Sequence, residues 1–267
     1  EISACLVGSE MCIRDRQNAA GESNTCSTIV NGFVSENVDL ILANASSALQ
    51  AAASATGDIP VLGTAVTEYG VALNIPDFNG TVGTNVSGTS DLAPLDQQAA
   101  MIPEWCPDAK TVGLLYCSAE ANSQYQVDIV QAALEALGLT CTQYPFSDTN
   151  DMASVTQTAA DNSDVLYVPT DNTIANNTGI VDNICHGKIP VFAGEEGVCS
   201  GCGVATLSIS YYDLGVTTGQ MAVKILTGES NVAEMPIEYA PQFTKKYNPA
   251  ACEALGITVP EGYEAIA

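Results

Sequence analysis

The feature that most constrains this chain is a βαβ pattern written twice. The first copy runs from Val38 to Val66 and the second from Ser163 to Glu196. Each opens with an Asp (Asp39, Asp164) before a short, continuous apolar run, passes through a polar turn and a helical stretch, and reaches Ile-Pro-Val (Ile59–Val61, Ile189–Val191). Continuous apolar runs alternating with helices read as parallel strands buried on both faces. Two such units so far apart predict two similar α/β lobes. Ligands of open parallel sheets sit at the carboxyl ends of the strands. The segments to watch are therefore Asn44–Ser47, Thr64–Glu68, Pro169–Thr173 and Gly194–Gly197.

Glu1–Arg16 shares neither composition nor periodicity with the rest and holds both arginines of the chain. Leu6–Asp15 reads as one frame of a widely used transposon adapter, so residues 1–16 look like translated sequencing adapter and are set aside from fold reasoning. The remaining organisation is expected to be an N-terminal lobe from 17–90 plus 210–238 and a C-terminal lobe from 91–209 plus 239–267.

Within that span the patterns predict helices over Asn24–Glu36, Ser46–Ala55, Asp91–Trp105, Ala121–Leu137, Asp151–Asp161, Tyr211–Thr227 and Pro249–Leu255. Strands are expected at Val38–Ala43, Ile59–Leu62, Thr111–Tyr116, Leu139–Tyr144 and Val204–Ile209. The Gly-, Asn-, Thr- and Ser-rich stretch Asn74–Ser90 reads as a loop or crossover.

A net charge of −24 repels polyanions, which argues against nucleic acid and anionic membranes as partners. No apolar run is long enough to span a bilayer. Outside the first sixteen residues eight cysteines remain, and Cys199 and Cys202 form the one close pair. A loop disulfide or two idle thiols outweighs a metal site, because no second CxxC exists and the sole histidine is His186. Cys117 and Cys141 fall on neighbouring strands where pairing is conceivable. There is no GxSxG, P-loop, HExxH or strand-linked GxGxxG, so an enzyme is not expected and no cofactor is implied.

Polar residues do gather at strand ends: Ser118–Ser123, Thr170–Thr173 and Glu195–Glu196. Any one of these loops is most simply a helix cap. Three converging on one cleft favour ligand binding, with backbone N–H groups for a carboxylate and Asp171 and Glu195 for an ammonium.

Those residues also carry a resemblance. QNAAGES (Gln17–Ser23), NVDLILANAS (Asn37–Ser46), NVSGTSDLAP (Asn85–Pro94), SAEANSQYQV (Ser118–Val127), YVPTDNT (Tyr167–Thr173), IPVFAGEEG (Ile189–Gly197) and ATLSISYYDLG (Ala205–Gly215) make the chain similar to the substrate-binding proteins of an ABC-transporter branch with the type I periplasmic-binding-protein fold. The likeness runs over Gln17–Glu238. The Cys-Ser-Gly-Cys after Glu196 departs from it, and the ending resembles versions from gut Firmicutes.

The resemblance implies a two-lobed fold with three crossovers and an interlobe cleft, and an N-lobe whose first strand lies outside the sequence. It also implies a small amino acid-like ligand, aromatic by preference. The partners would be an ABC permease and ATPase, and a lipid anchor encoded upstream would give the only membrane attachment. Its pattern places Ser46, Thr64 and Ala65 on one side of the ligand and Glu120, Asn122, Asp171, Asn172 and Glu195 on the other. Tyr69, Tyr125 and Tyr211 are candidates for stacking, whereas Phe192 is expected in the core. Other readings are a sugar- or nucleoside-binding protein of the same fold, a regulator's ligand-sensing effector domain, or a redox protein built on Cys199 and Cys202.

Overall fold

The computed structural model describes residues 14–240 and 242–266; most of the adapter-like segment lies outside them. In chain order the elements begin α1 (Ser23–Glu36), β1 (Ile41–Asn44), α2 (Ser46–Ala55), β2 (Val61–Val66), α3 (Tyr69–Ala72) and β3 (Val86–Ser90). There follow α4 (Leu95–Trp105), β4 (Thr111–Cys117), α5 (Ala121–Ala136), β5 (Thr140–Phe146), α6 (Thr149–Asp161), β6 (Val165–Val168), α7 (Asn172–Ala175) and α8 (Thr178–Cys185). The chain closes with β7 (Val191–Ala193), α9 (Glu196–Cys202), β8 (Ala205–Ser208), α10 (Tyr211–Leu226), β9 (Glu238–Tyr239), β10 (Thr244–Tyr247), α11 (Pro249–Leu255) and β11 (Glu264–Ala265).

These elements make two sheets. One has four strands in the order β1-β2-β3-β9, and the other seven in the order β11-β10-β8-β7-β6-β4-β5. Pairing is parallel except between β10 and β8. The chain passes between the sheets three times, at Asp91–Pro94, at Ile209–Ser210 and between β9 and β10.

Alternation along the strands assigns each side chain to a face. In the four-stranded sheet Ile41, Ala43 and Val61 meet α1 and α2 on one side, while Leu62 meets Met221 and Ala222 of α10 on the other. Leu42 pairs in register with Leu62 at the sheet edge but has no such cover and is 56% exposed. In the larger sheet every residue of β6, β7 and β8 is buried, as both-face covering requires. One face packs on α4, α5 and α11 around Trp105 and Phe192, the other on α6, α8 and α9.

Several expectations need correction. The stretch read as a loop ends in β3, an interior strand hydrogen-bonded to β2 and β9. Tyr239 pairs with Ser90, so the smaller sheet extends past 238. Cys199 and Cys202 lie in helix α9, not a loop, as buried free thiols whose ionisation burial opposes. Cys117 stands opposite Phe146 and Cys141 opposite Val112, so the register puts those two thiols at opposite ends of the β4–β5 pair.

Candidate functional site

The carboxyl ends of the smaller sheet's strands carry the N-lobe residues. After β1 the chain turns through Ala45, at φ 73° and ψ 162°, directly into α2. After Gly63 the β2–β3 register shifts, and Ala65 takes φ 52°. Left-handed backbone at residues other than glycine costs energy and collects at functional sites. The Ala45 N–H is held by the Thr64 carbonyl at 3.0 Å, which locks the two turns together.

Helix α2 begins at Ser46 with no side-chain cap, so its first N–H groups stay free for an anion. Ser46 is buried there. The Thr64 hydroxyl turns inward, accepting from Thr218 Oγ1 at 3.0 Å within a buried cluster that includes Thr89. Of these three, Ser46 and the backbone around Ala65 face the strand ends, whereas the Thr64 side chain braces the lobe.

The larger sheet's ends are built differently. Glu120 accepts from Asn172 N and Nδ2 at 3.0 and 2.8 Å, and from Thr173 N and Oγ1 at 2.8 and 2.7 Å. Asp171, 1% exposed, caps α7 through Ile174 N at 2.9 Å and takes the Cys117 N–H at 2.7 Å. Burial first, then Glu120, push its carboxyl above the usual carboxylate range. Asn122 Nδ2 donates to the Thr170 carbonyl at 3.1 Å, beside Gln126, which donates to that carbonyl and accepts from the Thr170 N–H. Glu195 caps α9 through Gly197 N and Val198 N, and burial raises its pKa. The structure brings Glu120, Asn122, Asp171 and Asn172 into one web, with Glu195 at the end of β7. The carboxylates of Asp171 and Glu195 already accept backbone N–H groups of their own lobe.

The lobes meet where α3 packs against α5. There Tyr125 of α5 lies near Glu68 and Tyr239, which with desolvation lift its phenol pKa. Tyr69 is buried and its hydroxyl donates to the Thr89 carbonyl at 3.1 Å. Phe192 is a core residue set edge-on to Trp105 at 6.3 Å. The Tyr211 hydroxyl reaches Asp91 Oδ2 at 3.2 Å. Asp91, which the sequence suggests only as a helix start, does not cap α4, whose N-cap is Pro94. Its position directly after the Thr89-Ser90 strand end was the one available signal. Glu68 lies in the strand-end segment Thr64–Glu68, whereas Tyr239 gave no signal. Among the described residues no group of three or more His, Cys, Asp or Glu is placed to hold a metal.

Two lobes with parallel sheets, three crossovers and a polar seam between strand ends make up this architecture. Residues 9–267 match the family model described as ABC transporter substrate binding protein, and the chain belongs to that family. It is 35% identical over 224 residues to a tyrosine-binding protein from Clostridioides difficile, a match covering 84% of this chain and 64% of that protein's length. Among solved structures it resembles a domain from Streptococcus pneumonia in complex with L-Trp, with TM-score 0.87, 33% identity, and coverage of 94% of this chain and 86% of that one. It also resembles the ligand-free, open form of a Clostridium difficile substrate binding protein with adhesive properties, with TM-score 0.70, 36% identity, and coverage of 94% and 85%.

Proposed function

We propose that the protein captures an amino acid with an aromatic side chain between its lobes and hands it to an ABC permease driven by an ATPase. In this reading it works outside the cytoplasm, tethered by a lipid anchor. The observation that carries the ligand class is the composition of the seam. Backbone donors at the uncapped start of α2 suit a carboxylate, Asp91, Glu68 and Glu195 suit an ammonium, and Tyr125, Tyr211 and Tyr239 offer aromatic faces. The L-Trp complex and the tyrosine-binding relative support the same class.

Ser46 and the Ala65 turn receive the carboxylate, Thr64 holding that turn in place. Glu120, Asn122, Asp171, Asn172 and Glu195 form the opposite wall. The family is described by substrate binding. Calorimetric titration against the twenty amino acids, nucleosides and simple sugars tests the reading. Binding confined to tryptophan, tyrosine or phenylalanine is expected. A wild-type protein that binds only a sugar or nucleoside overturns it.

A further inference from the structure

We infer that Asp91 is the ammonium partner of the ligand, its Oδ1 accepting from the α-ammonium while Tyr211 holds Oδ2. The inference rests on the amino-acid reading above. It starts from an anomaly: Asp91 is 5% exposed, yet its Oδ1 has no hydrogen-bond partner. Buried carboxylate oxygens are almost always satisfied, and one left bare is costly. The Thr67 hydroxyl is near enough to soften the cost, but no hydrogen bond from it reaches Oδ1.

A cation of the protein's own would be the usual remedy, and the chain does not provide one. Among the described residues Lys245 pairs with Glu104 and Lys246 with Glu196, and no basic group is among those acting on Asp91. Instead a second acid, Glu195 of the other lobe, bears on it. Burial and that neighbour push the Asp91 carboxyl up to about 6. A like-charged pair across a closing cleft is poised to take a cation from outside.

Position agrees with chemistry. Asp91 heads the first crossover, at the carboxyl end of β3, with its N–H on the Val66 carbonyl at 3.3 Å. Residues acting on it or acted on by it come from both lobes and the hinge: Thr67 and Tyr69, Glu195, and Tyr211. Strands β1 and β3 are two spacings apart in this sheet, about 9.6 Å. One α-carbon bearing both charges, with a hydrogen bond of about 2.8 Å at each end, bridges that gap from the start of α2 to Asp91. By contrast, the Asp171 oxygens already hold Cys117 N and Ile174 N.

The test is a chemical cycle on the full chain. Tryptophan, tyrosine and phenylalanine are titrated alongside analogues lacking the ammonium (3-indolepropionate and its phenol and phenyl counterparts), against wild type, Asp91→Asn and Tyr211→Phe. Asp91→Asn is expected to weaken the best-bound amino acid at least about thirtyfold, in the range for breaking a desolvated charge pair, and to leave the matching analogue within about threefold. Tyr211→Phe, which keeps the carboxylate but frees Oδ2, should weaken the amino acid several-fold and spare the analogue. Equal losses for amino acid and analogue, or wild-type affinity for the amino acid in Asp91→Asn, overturn the assignment. Failure of wild type to bind any of the three amino acids instead sinks the ligand reading on which it stands.

Discussion

In the larger lobe the turns after β4, β6 and β7 are each held by a carboxylate, Glu120, Asp171 and Glu195, that accepts backbone N–H groups a few residues or one loop away. In the smaller lobe the turns after β1 and β2 run through Ala45 and Ala65 at positive φ, and α2 starts without a side-chain cap, although Glu68 after β2 caps α3 through Val71 N at 2.6 Å. One wall of the cleft has its donors satisfied internally and is rigid before ligand arrives. The other keeps donors unspent and carries strain, which is where an anionic group gains most. The contrast accounts for the chain using abundant acids at its strand ends while offering few free ones to a ligand.

The comparison is broken most severely at Gly88. It has φ +144°, and a methyl there would overlap the Gly63 carbonyl oxygen and the Tyr69 hydroxyl. Gly88→Ala is expected to cost more than about 4 kcal/mol and to unfold the smaller lobe, seen as lost near-ultraviolet signal from its tyrosines or insoluble expression. Native-like urea unfolding of that variant would show that the β2–β3 approach is looser than it looks.

Asp171→Asn probes the stapled wall. The amide turns one acceptor into a donor facing Cys117 N or Ile174 N, at an expected loss of about 2–3 kcal/mol in chemical denaturation. An unchanged midpoint would remove Asp171 from the frame of the larger lobe.

Asp91→Asn acts in the opposite sense. Its folded carboxyl sits near 6 against 3.8, so the folded state keeps the proton longer. That favourable contribution is present below pH 3.8 and lost as pH rises through 6. The ligand-free variant should therefore be more stable than wild type by about 1–3 kcal/mol above pH 7, with the gap closing near pH 4. Wild-type affinity for an amino acid should fall as pH drops below 6, when protonated Asp91 no longer pairs with an ammonium. Glu195, Glu68 and the tyrosines also face this seam, so the Asp91→Asn profile is the control that isolates one group. Parallel profiles in the two proteins contradict it.

The smallest thermodynamic change is expected at the open side of the smaller sheet. Leu42 on β1 is exposed, as are Tyr212, Val216, Val223 and Leu226 along one side of α10. Leu42→Lys should alter stability by no more than about 0.5 kcal/mol yet raise the soluble fraction at high concentration, because apolar strand edges template association. Light scattering of the two proteins decides it.

The elements that sequence reveals best are those whose apolar pattern is self-sufficient. Leu-Tyr-Val in β6 and Val-Phe-Ala in β7 fill both faces of a buried strand and could be little else. Val86–Ser90 has one aliphatic residue and is a strand because β2 and β9 flank it, information carried by residues far along the chain. The strand-end loops were legible from topology, and the grouping of Glu120 with Asn172 from the family resemblance. Which acid stays unpaired was not, since capping and ligand binding favour the same residue types. The isolation of Asp91 depends on what Tyr211 and Glu195 do after 120 and 104 further residues.

The three crossovers also set an order in time. The smaller sheet is completed by β9, and its second face by α10, so this lobe cannot close over its core until about residue 239 has left the ribosome. The larger sheet likewise waits for β10 and β11. Neither lobe is a segment that can be cut out and folded alone, and a chain halted anywhere before 239 presents the apolar strands of both. Domains usually fold one after another as they emerge. Here the long-range closures come last for both lobes together, which favours slow folding.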